Sequence, residues 1–301
     1  MTPTNLVMFR FPPSLYLSAL AYGIAELPLK PVGALELASV GFVSPFGSDS
    51  DVPCHTIGHT TRITLAAEER ILPGSAVNYA LQKRLEEIER AEGRRPSGRA
   101  RKRLKEDIVH DMLPKAAIRP RRSDAYIFAD LGVIAVDVST RKAGENVVSA
   151  IRQALGSFPA LPLNAEVAPR EVLTSWIAGD EMPEGLVLGA AAELRDPADR
   201  GSVVRLTNHE LQGEEVTRHL EAGKQCARLA LSLSDHVSFT FGEDLILRKV
   251  RLLEGAVEAL ESTEREDLRA EMDARMALFD GEFRALFAVL ETAFKLSRAE
   301  G

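Results

Sequence analysis

With 301 residues, 45% of them hydrophobic and 27% charged, the chain has the composition of a globular protein of about two ordinary domains. Its two cysteines, Cys54 and Cys226, lie far apart and in no Cys-x-x-Cys pair, which argues against a disulfide framework or a thiolate zinc site and fits a reducing cytoplasm. The longest uncharged stretch, Phe11 to Ala25, is shorter than the roughly 20 apolar residues a membrane span needs, and its opening prolines Pro12 and Pro13 speak against a signal-peptide core.

Asn5 to Phe11 is apolar and β-favouring and predicts a strand; a helix is expected from Ser14 to about Glu26. Gly33 to Asp51 reads as loop, and Thr60 to Ala67 has the β-branched alternation of a second strand. From Ser75, the expected N-cap, to Glu92 the residues Val77, Ala80, Leu81, Leu85 and Ile88 recur at helical spacing. Pro96, between Gly93 and Gly98, interrupts that helix; a second is expected from near Arg99 to before Pro114, giving a helical hairpin with a basic elbow.

Asp124 to Asp130 and Val133 to Val138 read as strands, followed by a helix from Ala143 to Leu155 that Gly156 stops. A short helix over Arg170 to Ala178 carries Trp176. Val203 to Leu206, Ala227 to Leu233, Val237 to Phe241 and Leu245 to Leu252 are expected strands, with a helix from Glu214 to Ala222 after the first. From Glu254 onward the composition is helical, and Met272, Met276, Phe279, Phe283, Leu286, Phe287 and Leu290 form a stripe suited to core packing or a dimer contact.

The formal net charge of -7 speaks only superficially against a polyanion partner, because the charge is segregated. Arg94, Arg95, Arg99, Arg101, Lys102, Arg103 and Lys105 fall within a dozen residues that contain no acid, and Lys115, Arg119, Arg121 and Arg122 follow. Such a cluster is either a solvated hairpin tip or a set of phosphate contacts. No zinc finger, helix-turn-helix or RNA-binding aromatic motif accompanies it, so base-edge reading has no visible apparatus and backbone contact without sequence preference is the expectation.

Catalytic signals are weak. Gly223-Lys224 lacks both the upstream glycine of a P-loop and a following Ser or Thr, since Gln225 stands there. Cys54, His55 and His59 lack an evident fourth ligand, and Asp49 and Asp51 fall in a Gly- and Ser-rich turn. The expectation is therefore a protein with no cofactor, no metal, no membrane contact and no catalytic residue. Two alternatives stand beside it: a metal-dependent nuclease using Asp49, Asp51, His55 and His59, and an interaction scaffold whose basic tip binds an acidic partner.

The segments Asn5-Leu-Val-Met-Phe-Arg-Phe11, Gly41-Phe-Val-Ser-Pro-Phe-Gly47, Glu68-Glu-Arg-Ile-Leu-Pro73, Leu113-Pro-Lys-Ala116, Leu155 to Leu163, Leu173 to Ile177 and His219-Leu-Glu-Ala-Gly-Lys224 resemble, in that order, motifs of the RdgC family of bacterial recombination-associated proteins. The resemblance spans most of the chain. It implies an α+β, horseshoe-shaped subunit that pairs into a ring-shaped homodimer around double-stranded DNA, in the cytoplasm and associated with the nucleoid, restraining RecA-dependent recombination. On that pattern residues 1–74 and 123–168 form a central body, 75–122 the hairpin tip, and 169–301 a base of strands followed by C-terminal helices. The sequence departs from the family at Ala117, where a phenylalanine that helps lock the tips is common, and at Thr207 to Glu210, where relatives place lysine and glutamine near the DNA-facing base.

Overall fold

The computed structural model describes residues 3–199, 201–256 and 268–297. In chain order its elements are β1 (Asn5–Arg10), α1 (Leu20–Ala25), β2 (Ala38–Val43), β3 (His55–Ile57), β4 (Thr60–Ile71), α2 (Gly74–Glu92), α3 (Gly98–Met112), β5 (Ala117–Phe128), β6 (Val133–Asp137), α4 (Arg141–Leu155), β7 (Leu161–Pro162), α5 (Pro169–Ala178), β8 (Leu186–Arg195), β9 (Val203–Thr207), α6 (Glu214–Glu221), β10 (Gln225–Leu233), β11 (Val237–Gly242), β12 (Leu247–Leu252) and α7 (Leu268–Phe294). The part of the expected C-terminal helix over 257–267 lies outside the described residues.

The described strands join in one antiparallel sheet in the order β2-β4-β5-β6-β1-β12-β11-β10-β8-β9, with β3 beside β4 and β7 beside β1. Its two halves meet at β1, where only Asn5 and Leu6 pair with β12 while Phe9 and Arg10 pair with β7. Strands β1 and β6 and the Ala125–Phe128 end of β5 are buried on both faces, which is why those segments are apolar runs rather than alternations. Leu6, Met8, Tyr126, Phe128, Val133 and Ala135 point to one face and pack with Phe279, Phe283 and Leu286 of α7. Val7, Phe9, Ala125, Ile127, Ile134 and Val136 point to the other, under Leu20 and Ile24 of α1 and Val147, Val148 and Ile151 of α4.

The methionine and phenylalanine stripe is therefore core: Met276, Phe279, Phe283, Leu286, Phe287 and Leu290 are all buried, and Phe283 stacks on Phe128 at 4.2 Å. Polar contacts fix the same helix. Asp280 accepts from Thr60 and Arg284, Arg284 reaches Asp130 at 2.6 Å, and Glu291 accepts from Arg10 at 2.7 Å.

Several boundaries differ from expectation for physical reasons. The helix expected from Ser14 begins only at Leu20, because Pro12 and Pro13 and the turns after them occupy the preceding residues. Ser75 is not a cap: α2 starts at Gly74 behind Pro73, with no side-chain capping bond. The region read as loop contains β2, in which Gly41 lets Leu29 approach so closely that an added Cβ would lie 2.3 Å from its nitrogen. β5 begins at Ala117, so Arg119, Arg121 and Arg122 stand on a strand of the sheet.

Candidate nucleic-acid interface

The hairpin forms because one face of α2 buries Val77, Leu81 and Leu85, while Gly93, left-handed at φ 65°, ends the helix and donates its N–H to Glu89 O. α3 has no fully buried residue; Leu104, Ile108 and Val109 are half-buried and the other positions are largely exposed. At about 100° per residue the cations surround α3 rather than forming one stripe. Arg99 and Arg103 line a groove with Ile88, Pro96, Leu104, Glu92 and Asp107. Arg101 and Lys105, one turn apart, project from the opposite side of the helix and, like Arg94, make no ion pair among the described residues. Lys102 lies 3.9 Å from Glu106, and Arg95 donates to Gln82 Oε1 at 2.5 Å and stands 4.0 Å from Glu89.

Lys115 is exposed on the turn that follows α3. Arg119 and Arg121 both reach Glu69 of β4, at 2.8 and 3.3 Å, and the hydrogen bond from Arg119 holds that carboxyl below its ordinary pKa. The trio keeps a net charge of one. Arg122 points to the opposite face and donates to Ser44 O at 3.3 Å. The sequence cluster is thus distributed over three surfaces.

A second cationic surface was not legible as a cluster. Strands β8 to β12 pack Leu194, Leu206, Leu229, Leu231, Phe239, Phe241 and Leu247 against α5 and α7, so every other residue faces the opposite way. That opposite face has a floor of small side chains, Ala230, Ser232, Ser238 and Thr240, set with Arg205, Arg228, Arg248 and Arg251, with Lys249 beside them at a β-bulge. Register places Arg205, Glu193 and Arg228 side by side on adjacent strands. Glu193, 9% exposed, accepts from Arg195 at 2.6 Å and Arg205 at 3.1 Å. Burial opposes its ionisation, but the arginine hydrogen bonds outweigh this and its pKa is lowered. Asp244 pairs with Arg248, whereas Lys249 and Arg251 are exposed and make no ion pair among the described residues. Thr207, one of the positions where the sequence departs from the family, is exposed on this face opposite Ala191.

The other candidates do not assemble. His55 is buried with Nε2 2.6 Å from Asp273, and burial pushes the Cys54 thiol pKa up. Asp49 and Asp51 are exposed, with Asp49 accepting from Ser48 in turn chemistry. Among the described residues no three His, Cys, Asp or Glu side chains are placed to hold a metal ion, and no helix is long and apolar enough to cross a membrane. Lys224, from the rejected P-loop, donates to Ser202.

The fold and these surfaces define a mixed α/β protein built on one long antiparallel sheet, with cations gathered on a helical hairpin and on a sheet face that no described element covers. A family model described as "RdgC: Putative exonuclease, RdgC" matches residues 1–297. Proteins named recombination-associated protein RdgC are 52% identical over 297 residues in Xanthomonas campestris pv. campestris (strain B100), covering 98% of both chains, and 50% identical in Stenotrophomonas maltophilia (strain R551-3), covering 98% of this chain and 99% of the relative. The one from Xanthomonas axonopodis pv. citri (strain 306) is 52% identical with the same coverage as the Stenotrophomonas protein. The chain belongs to the RdgC family.

Proposed function

We propose that this protein binds double-stranded DNA through its phosphate backbone without sequence preference, as a homodimer that encircles the duplex, and that its occupancy of DNA restrains RecA-dependent recombination in the nucleoid. The observation that carries the reading is the pair of exposed cationic surfaces, one around α3 and one on the β8–β12 face, each holding cations with no acidic partner. Phosphate contacts release condensed counterions, so a few such cations give tight and strongly salt-dependent binding without any base contact. The proposed carriers are Arg94, Arg95, Arg99, Arg101, Lys102, Arg103 and Lys105 on the hairpin, Lys115, Arg119, Arg121 and Arg122 beside it, and Lys249 and Arg251 on the sheet. Arg101 and Lys105, like Arg94, Arg99 and Arg103, spend no charge in an ion pair among the described residues, and they stand on the side of α3 away from Glu92 and Asp107.

The same reading casts the protein as a binder without covalent chemistry. Support comes from the candidate nuclease residues, which the fold keeps apart, with His55 committed to Asp273. The word exonuclease in the family description keeps the alternative concrete. Incubating supercoiled plasmid with pure protein and Mg²⁺ should leave it uncut; nicking that Asp49→Asn and Asp51→Asn abolish would replace binding with hydrolysis as the activity.

Charge reversal tests the binding claim itself. Arg101→Glu with Lys105→Glu, and separately Lys249→Glu with Arg251→Glu, should each weaken binding to unrelated duplexes equally, by about tenfold or more, and lower the salt slope by about one for each phosphate no longer neutralised. Unchanged affinity in both double variants would overturn the reading and favour an acidic protein partner for the tip.

A further inference from the structure

The α2–α3 hairpin has a small core of its own. Val77, Leu81, Leu85 and Leu113 are buried, yet none of them belongs to either of the two large clusters that hold the sheet to its helices. The hairpin is carried on the outer ends of β4 and β5, which pair with each other out to Ile71 and Ala117, whereas β2 leaves β4 at Glu69. No core shared with the body therefore sets the angle at which the hairpin leaves it, and a two-stranded ribbon by itself is a weak support.

Arg70 of β4 stands at that root and reaches both sides of the joint. Its Nε donates to Gly33 O at 3.2 Å. Its Nη1 lies 3.2 Å from Leu113 O and 3.4 Å from Pro114 O and Ala116 O, the carbonyls of the turn by which α3 returns to β5. The loop that bears Gly33 is itself held to β4, since Glu68 accepts from Val32 N–H at 2.9 Å and the Arg70 N–H donates to Leu37 O at 2.8 Å. A cation is favoured where carbonyls gather at the end of a helix, and its hydrogen bonds are stronger than neutral ones. The planar guanidinium serves the loop and the turn at once, which the single ammonium of a lysine does not.

We propose that Arg70 is a positioning residue for DNA binding: it locks the root of the hairpin, so that the cations of α3 and those of the β8–β12 face meet the same duplex. The inference rests on the DNA-binding reading above and names the side chain that preorganises it. A hairpin free to swing would still carry every cation, but only the fraction of molecules in the competent orientation would bind, and the dissociation constant rises by the inverse of that fraction. The number of phosphates neutralised, and with it the salt slope, stays the same. That difference separates a positioning residue from a phosphate contact, whose loss lowers the slope by about one.

The test compares Arg70→Gln and Arg70→Lys with wild type in the full chain, by anisotropy of a duplex across a salt series. The circular dichroism spectrum should be unchanged, because Arg70 lies outside both large cores; Arg70→Lys, which keeps the charge, serves alone if Arg70→Gln does not fold. Either variant should raise the dissociation constant by about tenfold at an unchanged salt slope, as for a competent fraction of about one tenth. Amide hydrogen exchange should quicken in α2 and α3 and not in β1 and β6. In the background of Arg101→Glu with Lys105→Glu, where the hairpin's contribution is already lost, Arg70→Gln should change the affinity by less than about twofold. Wild-type affinity in both variants means that nothing is locked; a slope lowered by about one in Arg70→Gln and restored in Arg70→Lys makes Arg70 a phosphate contact; a tenfold loss that persists in the charge-reversed background is a global effect. Each of these overturns the proposal while the DNA-binding reading stands, whereas a wild-type protein that binds no duplex removes both.

Discussion

Single residues divide into those that hold the fold and those left over for a partner. Glu193 and Asp130 belong to the first group. Arg284 hydrogen bonds hold the Asp130 carboxyl below its ordinary range, and the arginines around Glu193 do the same there against the effect of burial. A carboxyl whose pKa is lower folded than unfolded contributes stability that is fully present above its unfolded pKa, about 4, and is lost as pH falls through the folded value. Stability should therefore be flat near neutrality and decline below about pH 4, and Arg284→Gln should flatten part of that decline in urea titrations run at successive pH values. Lys249 and Arg251 belong to the second group: replacing them should leave the unfolding free energy from urea titration within about 0.5 kcal/mol of wild type, as for surface changes generally. The hairpin cations were legible because they are contiguous. Arg205, Arg228, Arg248 and Arg251 were not, because they are spaced out over three strands, β9, β10 and β12, and only strand pairing brings them to one face.

At the scale of elements, α7 is the piece on which both halves of the sheet depend. Phe283 packs on Phe128 and Phe287, and Phe294 packs on Trp176 and Phe241 at the other end of the helix. Phe283→Ala should cost about 3–5 kcal/mol, read as a fall in the urea midpoint with unchanged slope. Elements with strong local signals were readable. α2 and α4 show clear helical spacing and end at the left-handed glycines Gly93 and Gly156, and α5, α6 and β10 to β12 fall within a few residues of their expected places. β8 was missed because Ala190-Ala191-Ala192-Glu193 favours a helix locally, and pairing with β9 and β10 overrides that preference. β2 was missed because Gly41 weakens the strand signal while serving a close approach that only the folded chain reveals.

For the whole molecule, the antiparallel sheet carries the α2–α3 hairpin near one end and the cationic face of β8 to β12 near the other. The mixed α/β class was legible from the alternation of apolar runs and helical patterns, and the family from the ordered motif blocks. The continuity of the sheet through β1 was not, since it rests on a two-residue ladder to the distant strand β12, near the other end of the sequence. A chain with a net charge of -7 that binds a polyanion must do so through local fields, and those fields are screened within about 8 Å at physiological ionic strength. The most direct measurement is therefore fluorescence anisotropy of two unrelated DNA duplexes titrated with wild-type protein between about 50 and 200 mM salt. The account predicts equal affinities for the two sequences and a log–log salt slope of about -5, corresponding to about six phosphate contacts. Affinities that differ widely between the duplexes, a flat salt response, or no binding at the lowest salt would contradict it.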